Sequence, residues 1–196
     1  MYTEIKIDPF YEDEYMPKVE TTIFDIEDDF DDRRINLFQM ESYILDTSKL
    51  RGFKSWRLAD WLAGDVLSIH EALIAFEHGT EKMSFKPKLL IDMFGDDDFF
   101  KWGSILMVKE AKRLDNATKG LRLFEKAIQE TIAVTKVEFA AFIAGNISDD
   151  DESHNQDKLV EYYKSIMWTD KLENEGKHDL FVTFEEIAEE KFRPNG

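Results

Sequence analysis

"WGSILMVKEAKRLDNATKGLRLFEKAIQETIAVTKVEFAAFIAGN", residues 102–146, decides how this chain is built. Ile105 to Val108 are continuously apolar, and a run that short predicts a buried strand over 102–111. "KVEFAAFIAGN" (136–146) is a second such run, ending at Gly145 and Asn146. Between the two lies a polar loop, followed by Leu121, Phe124, Ala127 and Ile128 at helical spacing. That spacing predicts an amphipathic helix from Lys119 onward with those side chains buried.

The same alternation of elements continues downstream. "DKLVEYYKSIMW" (157–168) predicts a helix packing through Leu159, Tyr162, Tyr163 and Ile166, and "DLFVTFEEI" (179–187) predicts a last strand. Strand, helix, strand, helix, strand implies an α/β or α+β domain whose sheet is covered by helices. Upstream, "TEIKI" alternates as a first strand does, and "INLFQMESYILD" (35–46) reads as one strand or a bent pair. "SWRLADWLAGDVLSIHEALIAFEHG" (55–79) places Leu58, Trp61, Leu62, Val66, Ile69, Leu73 and Phe76 at helical spacing. Gly64 is expected to break it into two helices and Gly79 to cap the second. "SFKPKLLIDMF" (84–94) fits either element. No linker-like stretch divides residues 1–196, so a single domain is expected.

Composition bounds the partners more tightly than the fold. The chain has 196 residues, 43% hydrophobic with 16 Phe, which is enough for a packed core. It has no cysteine, which excludes disulfides, thiolate metal sites and a cysteine nucleophile, and fits a reducing compartment. The N-terminus lacks a basic region followed by an apolar run, and no apolar stretch is long enough to cross a bilayer. A soluble, cytoplasmic protein is the expectation. Its net charge is -17, from 42 acids against 25 bases. Such a surface repels nucleic-acid phosphates and anionic membranes and attracts amines, polyamines and basic peptides or proteins.

The acidic runs at 25–34, 95–100 and 148–157 read as solvated loops or helix ends, and none has the spacing of a calcium loop. "HEALI" (70–74) lacks the second histidine of a zinc-protease helix. His70 and His78 make no ligand set and are expected on the exposed side of their helix, so no metal is expected. Trp56, Trp61, Trp102 and Trp168 are expected in the core.

Against this acidity the loop stands out. Residues 109–126 hold six bases (Lys109, Lys112, Arg113, Lys119, Arg122, Lys126) and three acids (Glu110, Asp115, Glu125). Bases are ordinarily disfavoured at a helix start, where free N–H groups and the helix dipole already carry positive charge. A bound phosphate would reverse that penalty. Alternatively, Asn116 or Thr118 caps the helix and the bases are merely solvated around it.

Taken together these residues resemble the GNAT-type N-acetyltransferases. In that family a strand enters a loop of pattern Arg/Gln-x-x-Gly-x-Gly/Ala, whose amides hold the pyrophosphate of acetyl-CoA at a helix start. "DNATKG" (115–120) occupies that place, with Gly120 on the last position; Asp115 and Thr118 stand where Arg or Gln and the first glycine are usual. "FIAGN" ends in Asn146 as the family's next strand often does, and Tyr163 falls where the following helix commonly carries a tyrosine. The resemblance covers residues 102–184 and leaves 1–100 as a divergent N-terminal half.

It implies a GNAT-like mixed central sheet flanked by helices. It further implies transfer of an acetyl or other short acyl group from acyl-CoA to an amine. The cofactor would be held by Met107, Val108, Asn116, Thr118, Lys119, Gly120, Leu121 and Asn146. Glu110 would be the base and Tyr163 the proton donor to the departing thiolate. Each also has a plain structural reading: Glu110 as a solvated strand-end charge, Tyr163 as core, Asn146 as a strand end. The alternative function is a catalytically inactive protein of this fold that binds or inhibits a basic partner through its acidic face.

Overall fold

The computed structural model describes residues 1–8, 16–27, 33–50, 52–62, 64–77, 80, 82–95, 99–115, 118, 121–144, 154–172 and 179–184. The elements run β1 (Tyr2–Asp8), β2 (Lys18–Glu27), β3 (Arg33–Asp46), α1 (Phe53–Leu62), α2 (Gly64–Leu73), β4 (Ile74–Phe76), β5 (Met83–Phe85), α3 (Lys88–Phe94), α4 (Phe99–Trp102) and β6 (Ser104–Arg113). They continue with α5 (Leu123–Thr135), β7 (Phe139–Ile143), α6 (His154–Lys164), β8 (Thr169–Leu172) and β9 (Leu180–Phe184). The architecture is mixed α/β. A seven-stranded sheet in the order β1-β2-β3-β6-β7-β9-β8 takes strands from both halves of the chain, and β4 and β5 form a separate hairpin.

Every neighbouring pair in the large sheet is antiparallel except β6 and β7. A parallel pair requires a long return connection, and α5 supplies it. The helix lies back across the sheet by burying Leu123, Phe124, Ala127, Ile128 and Ile132. The leucine, isoleucine and phenylalanine side chains among these contribute about 1.5–3 kcal/mol each when fully buried.

Alternation along the strands splits the core into two layers. Ile105 and Met107 of β6 face one side with Tyr43, Leu45, Phe139 and the helices α1 to α4. Leu106 and Val108 face the other with Phe38, Met40, Phe142, α5 and α6. In the first layer Phe85, Phe94, Phe99 and Phe139 sit with ring centroids 4.9–6.1 Å apart. Among the described residues no helix is long and apolar enough to cross a membrane.

Several expectations are corrected. The second helix ends at Leu73 and the chain turns into β4, since Ile74 and Phe76 pair with Phe85 and Met83. The 84–94 stretch divides at Pro87, which lacks an N–H and starts α3. The helix expected from Lys119 begins at Leu123, so Leu121 lies before it and is exposed. His70 is fully buried, not exposed. Trp61 and Trp102 are 60% and 62% exposed, not core. Leu58, Leu62, Val66 and Ile69 of the helical stripe do pack in this layer, but Ala59 joins them there and Trp61 falls outside it. Gly79 and His78 lie outside the described residues.

Candidate functional site

The site begins where β6 leaves the core. Along β3 the ladder runs Leu45 to Ile105, Ile44 to Leu106, Tyr43 to Met107 and Ser42 to Val108, then jumps from Glu41 to Glu110. Lys109 has no opposite number. It is the extra residue of a β-bulge, a distortion that takes one residue's backbone out of the ladder. On its other side β6 pairs with β7 only through Ile105–Met107 against Phe139–Ala141. Beyond Met107 the strand runs on to Arg113, and among the described residues no strand joins it on that side. The parallel strands therefore part just where the bulge falls, opening a notch in the sheet. Met107 is buried in one layer and Val108 in the other.

On the α1–α4 side of the sheet, past the covering helices, three carboxylates stand in a row across three strands. Glu20 faces Glu41, and Glu41 faces Glu110. Like charges directly opposite one another destabilise a sheet. Lysines resolve the conflict around Glu41: Lys109 Nζ lies 2.7 Å from Oε1, and Lys18 Nζ lies 3.0 Å from Oε2 and 2.7 Å from Glu20. Tyr43 also donates its hydroxyl to Glu41, at 3.1 Å. Burial pushes the Glu41 carboxyl up, but the hydrogen bonds from Lys109, Lys18 and Tyr43 outweigh it and hold the group below the ordinary value. Glu110 is exposed. With Thr22, Gln39 and Lys112 the acids line a groove of about 150 Å³.

On the opposite side α6 lays Tyr163 against Phe124 of α5 (5.1 Å between centroids), Phe142 of β7 (4.9 Å) and Phe181 of β9 (5.4 Å). The tyrosine thus lies between the first turn of α5 and the end of β7, beside the notch. Burial raises its hydroxyl well above the ordinary tyrosine value, keeping it protonated. Sequence reasoning gave the neighbouring Tyr162 only a packing role. Its hydroxyl is buried near the Glu125 backbone without a hydrogen bond of good geometry, and it senses the charges of Glu125, Arg113 and Arg122. Adjacency to Tyr163 was the only signal available, because nothing local shows that α6 would set both rings beside α5.

Thr118 is buried, and its N–H and hydroxyl both bond to the Asp115 carbonyl, at 3.3 and 2.5 Å. The Leu121 N–H bonds back to Thr118 at 3.1 Å. Thr118 therefore closes the turn rather than capping α5, whose N-cap residue is Arg122. The basic island is partly matched by acids: Arg122 meets Glu125 at 3.0 Å, Lys126 meets Glu130 at 3.6 Å, and Lys109 is held by Glu41. Asn116, Lys119, Gly120 and Asn146 lie outside the described residues.

The chain matches no protein-family model, no curated protein and no solved structure. Met107 and Val108 lie where β6 parts from β7 and Glu110 lies just past the bulge, while Tyr163 packs on the opposite side of the sheet against Phe124, Phe142 and Phe181. Among the described residues no group of three His, Asp or Glu side chains is arranged to hold a metal ion.

Proposed function

We propose that the chain is a GNAT-like acyltransferase that moves a short acyl group, acetyl in the simplest case, from acyl-CoA to the amine of a cationic acceptor. The observation that carries this reading is the bulge at Lys109 coinciding with the parting of β6 from β7 beyond Met107. A bulge turns backbone amides away from the ladder, and fixed N–H groups of that kind stabilise the oxyanion that forms on a carbonyl under attack. Acyl-CoA would supply the activated thioester. Residues 108–109 fit its carbonyl, and the first turn of α5, reached from the same end of β6, fits its phosphates.

The chain's own groups divide the remaining work. Glu110 follows the bulge and lines the groove, where its carboxylate would meet a protonated amine and take up its proton. Tyr163, kept protonated by burial beside Phe142, suits proton donation to a departing thiolate. An acyl group seated where β6 parts from β7 would have Glu110 on one side of the sheet and Tyr163 on the other.

A second reading rests on a specific observation. The Thr118 and Leu121 amides bond within the turn and Arg122 is engaged by Glu125, an arrangement that fits a protein of this fold that has lost the cofactor and kept an acidic binding face. Calorimetric titration with acetyl-CoA, at low and then moderate salt, separates the two. The enzyme reading expects micromolar binding that is lost on replacing Lys119 and Gly120. It also expects Tyr163→Phe to keep that binding while lowering turnover on a polyamine. No heat at either salt, with salt-sensitive binding of a lysine-rich peptide, selects the second reading and sinks the first.

A further inference from the structure

Strand β1 is an edge of the large sheet: β2 lies on one side, and among the described residues nothing pairs with it on the other. An edge offers a row of backbone donors and acceptors to any chain that aligns with it. The sequence of β1, Tyr-Thr-Glu-Ile-Lys-Ile-Asp, singles out one alignment. Facing residues of an antiparallel pair direct their backbone groups alike, so two copies related by a twofold axis align only where one residue faces itself. Centred on Glu4, the pairing sets Glu4 against Glu4. Centred on Lys6, it sets Lys6 against Lys6 and Glu4 against Asp8. Centred on Ile5, it sets Glu4 against Lys6 twice, with Ile5 against Ile5 and Thr3 against Ile7.

We propose that β1 is a self-association edge, through which two copies of this chain pair antiparallel about Ile5 and join their sheets. Charge complementarity names the partner as a second copy. A lysine on an edge strand ordinarily deters pairing, and Glu4 two residues away turns that deterrent into a key for register. Glu4 is already oriented on the strand surface by Arg34 at 2.8 Å, and Lys6 lies 3.5 Å from it. Apolar surface accompanies the charges. Ile7 is 46% exposed and Tyr2 55% exposed, although both belong to the strand. On the same side as Ile5 and Ile7, the Thr3 hydroxyl is buried without a hydrogen-bond partner. A net charge of -17 opposes self-association elsewhere on the molecule, which favours a strip where acid and base alternate.

The test uses the full chain at high micromolar concentration and low salt, with mass read by light scattering. The parent is expected at twice 23.0 kDa, falling toward 23.0 kDa on dilution. Glu4→Lys alone and Lys6→Glu alone each set like charges against like in this register, so each is expected to be monomeric. Mixed in equal amounts they restore opposite charges at both positions and are expected to form a mixed dimer. Circular dichroism checks that both fold. If either does not, Glu4→Gln and Lys6→Gln replace them and must each weaken the dimer. A monomeric parent, single variants that still dimerise, or a mixture that stays monomeric overturns the proposal.

Discussion

Lys109 Nζ lies 2.7 Å from Glu41 Oε1, and Lys109 is the one residue of β6 in the β3 ladder's span with no partner opposite it. The ion pair ties the bulge to its neighbouring strand, so the distortion is held by chemistry as well as by backbone geometry. Glu41 accepts from Lys18 and Tyr43 as well, and its carboxyl is held below the ordinary 4.5. A folded-state value below the unfolded one adds stability above pH 4.5, which is lost as pH falls through the folded value. Glu41→Gln should therefore cost up to about 1 kcal/mol at neutral pH, a figure kept small because the pair is partly solvated. Urea titrations should show parent and variant converging below pH 3. An equal gap at pH 7 and pH 3 would mean that Glu41 acts through packing rather than charge.

His70 illustrates the opposite balance. Its Nε2 lies 2.9 Å from the Ser55 hydroxyl, which also lies 2.8 Å from the Gly52 carbonyl. A carbonyl only accepts, so Ser55 gives its proton to Gly52 and His70 must donate from Nε2. That leaves Nδ1 bare, buried and without a partner. Protonating it would place a charge in a fully buried position, so burial, helped by the nearby Lys86 charge, lowers the imidazole to about 4. Neutral His70 therefore favours the folded state fully above pH 6.5, and the advantage is lost as pH falls toward 4. Between pH 7 and pH 5 the loss should be about 2 kcal/mol. His70→Gln, which keeps a donor for Ser55, should flatten that slope. Urea midpoints at the two pH values decide it, and an unchanged slope would place the acid sensitivity elsewhere.

Strands β6 and β7 and helices α5 and α6 were legible because each satisfies its own local rule: an apolar run for the strands, a 3.6-residue stripe for the helices. What escaped was whatever long-range pairing decides. Strand β2 reads Lys-Val-Glu-Thr-Thr-Ile-Phe-Asp-Ile-Glu, and its buried side alternates Val19, Thr21 and Ile23. A threonine on that stripe and an acidic tail hide the period. Strand β8 is four residues long and exists by pairing with β9. His70 looked solvent-facing because its polarity was visible and Ser55, fifteen residues away, was not known to meet it. At the site, Glu110 and Tyr163 could be picked out by residue type. The bulge that sets Lys109 apart could not, because it is a property of the register with β3 and leaves no mark on either strand alone.

Gly103 joins α4 to β6, and the reason for a glycine there is contact. A methyl group at that position would come within 2.7 Å of the Phe99 ring. The ring is fully buried and enclosed by Phe85, Phe94, Phe100 and Phe139, so it has little room to yield. The Gly103 carbonyl is also fixed by the Thr47 hydroxyl at 2.6 Å. Gly103→Ala should destabilise the fold by about 1–3 kcal/mol, the usual cost of overpacking a core. Thermal melting should fall by several degrees, and Gly103→Ala with Phe99→Leu should recover part of the loss. A melting point unchanged in the single variant would show that the aromatic layer is looser than its packing implies.

One proton between β2 and α5 has a fixed direction. Thr21 of β2 and Thr131 of α5 meet in the core with their hydroxyl oxygens 2.7 Å apart. Thr131 also lies 2.7 Å from the Ala127 carbonyl, one turn back along α5. Since the carbonyl only accepts, Thr131 donates there and Thr21 donates to Thr131. The two residues are therefore not equivalent. Thr21→Val removes a donor, and Thr131 keeps its own bond to Ala127, so the loss should be about 1 kcal/mol or less. Thr131→Val strips the Thr21 hydroxyl of its acceptor in a fully buried position, which should cost about 1–3 kcal/mol. In the double variant neither hydroxyl remains to be satisfied, so its stability should lie above that of Thr131→Val alone. Urea denaturation of the three variants gives the comparison directly. If Thr21→Val proves the more damaging single change, the hydrogen-bond direction assigned between strand and helix is reversed.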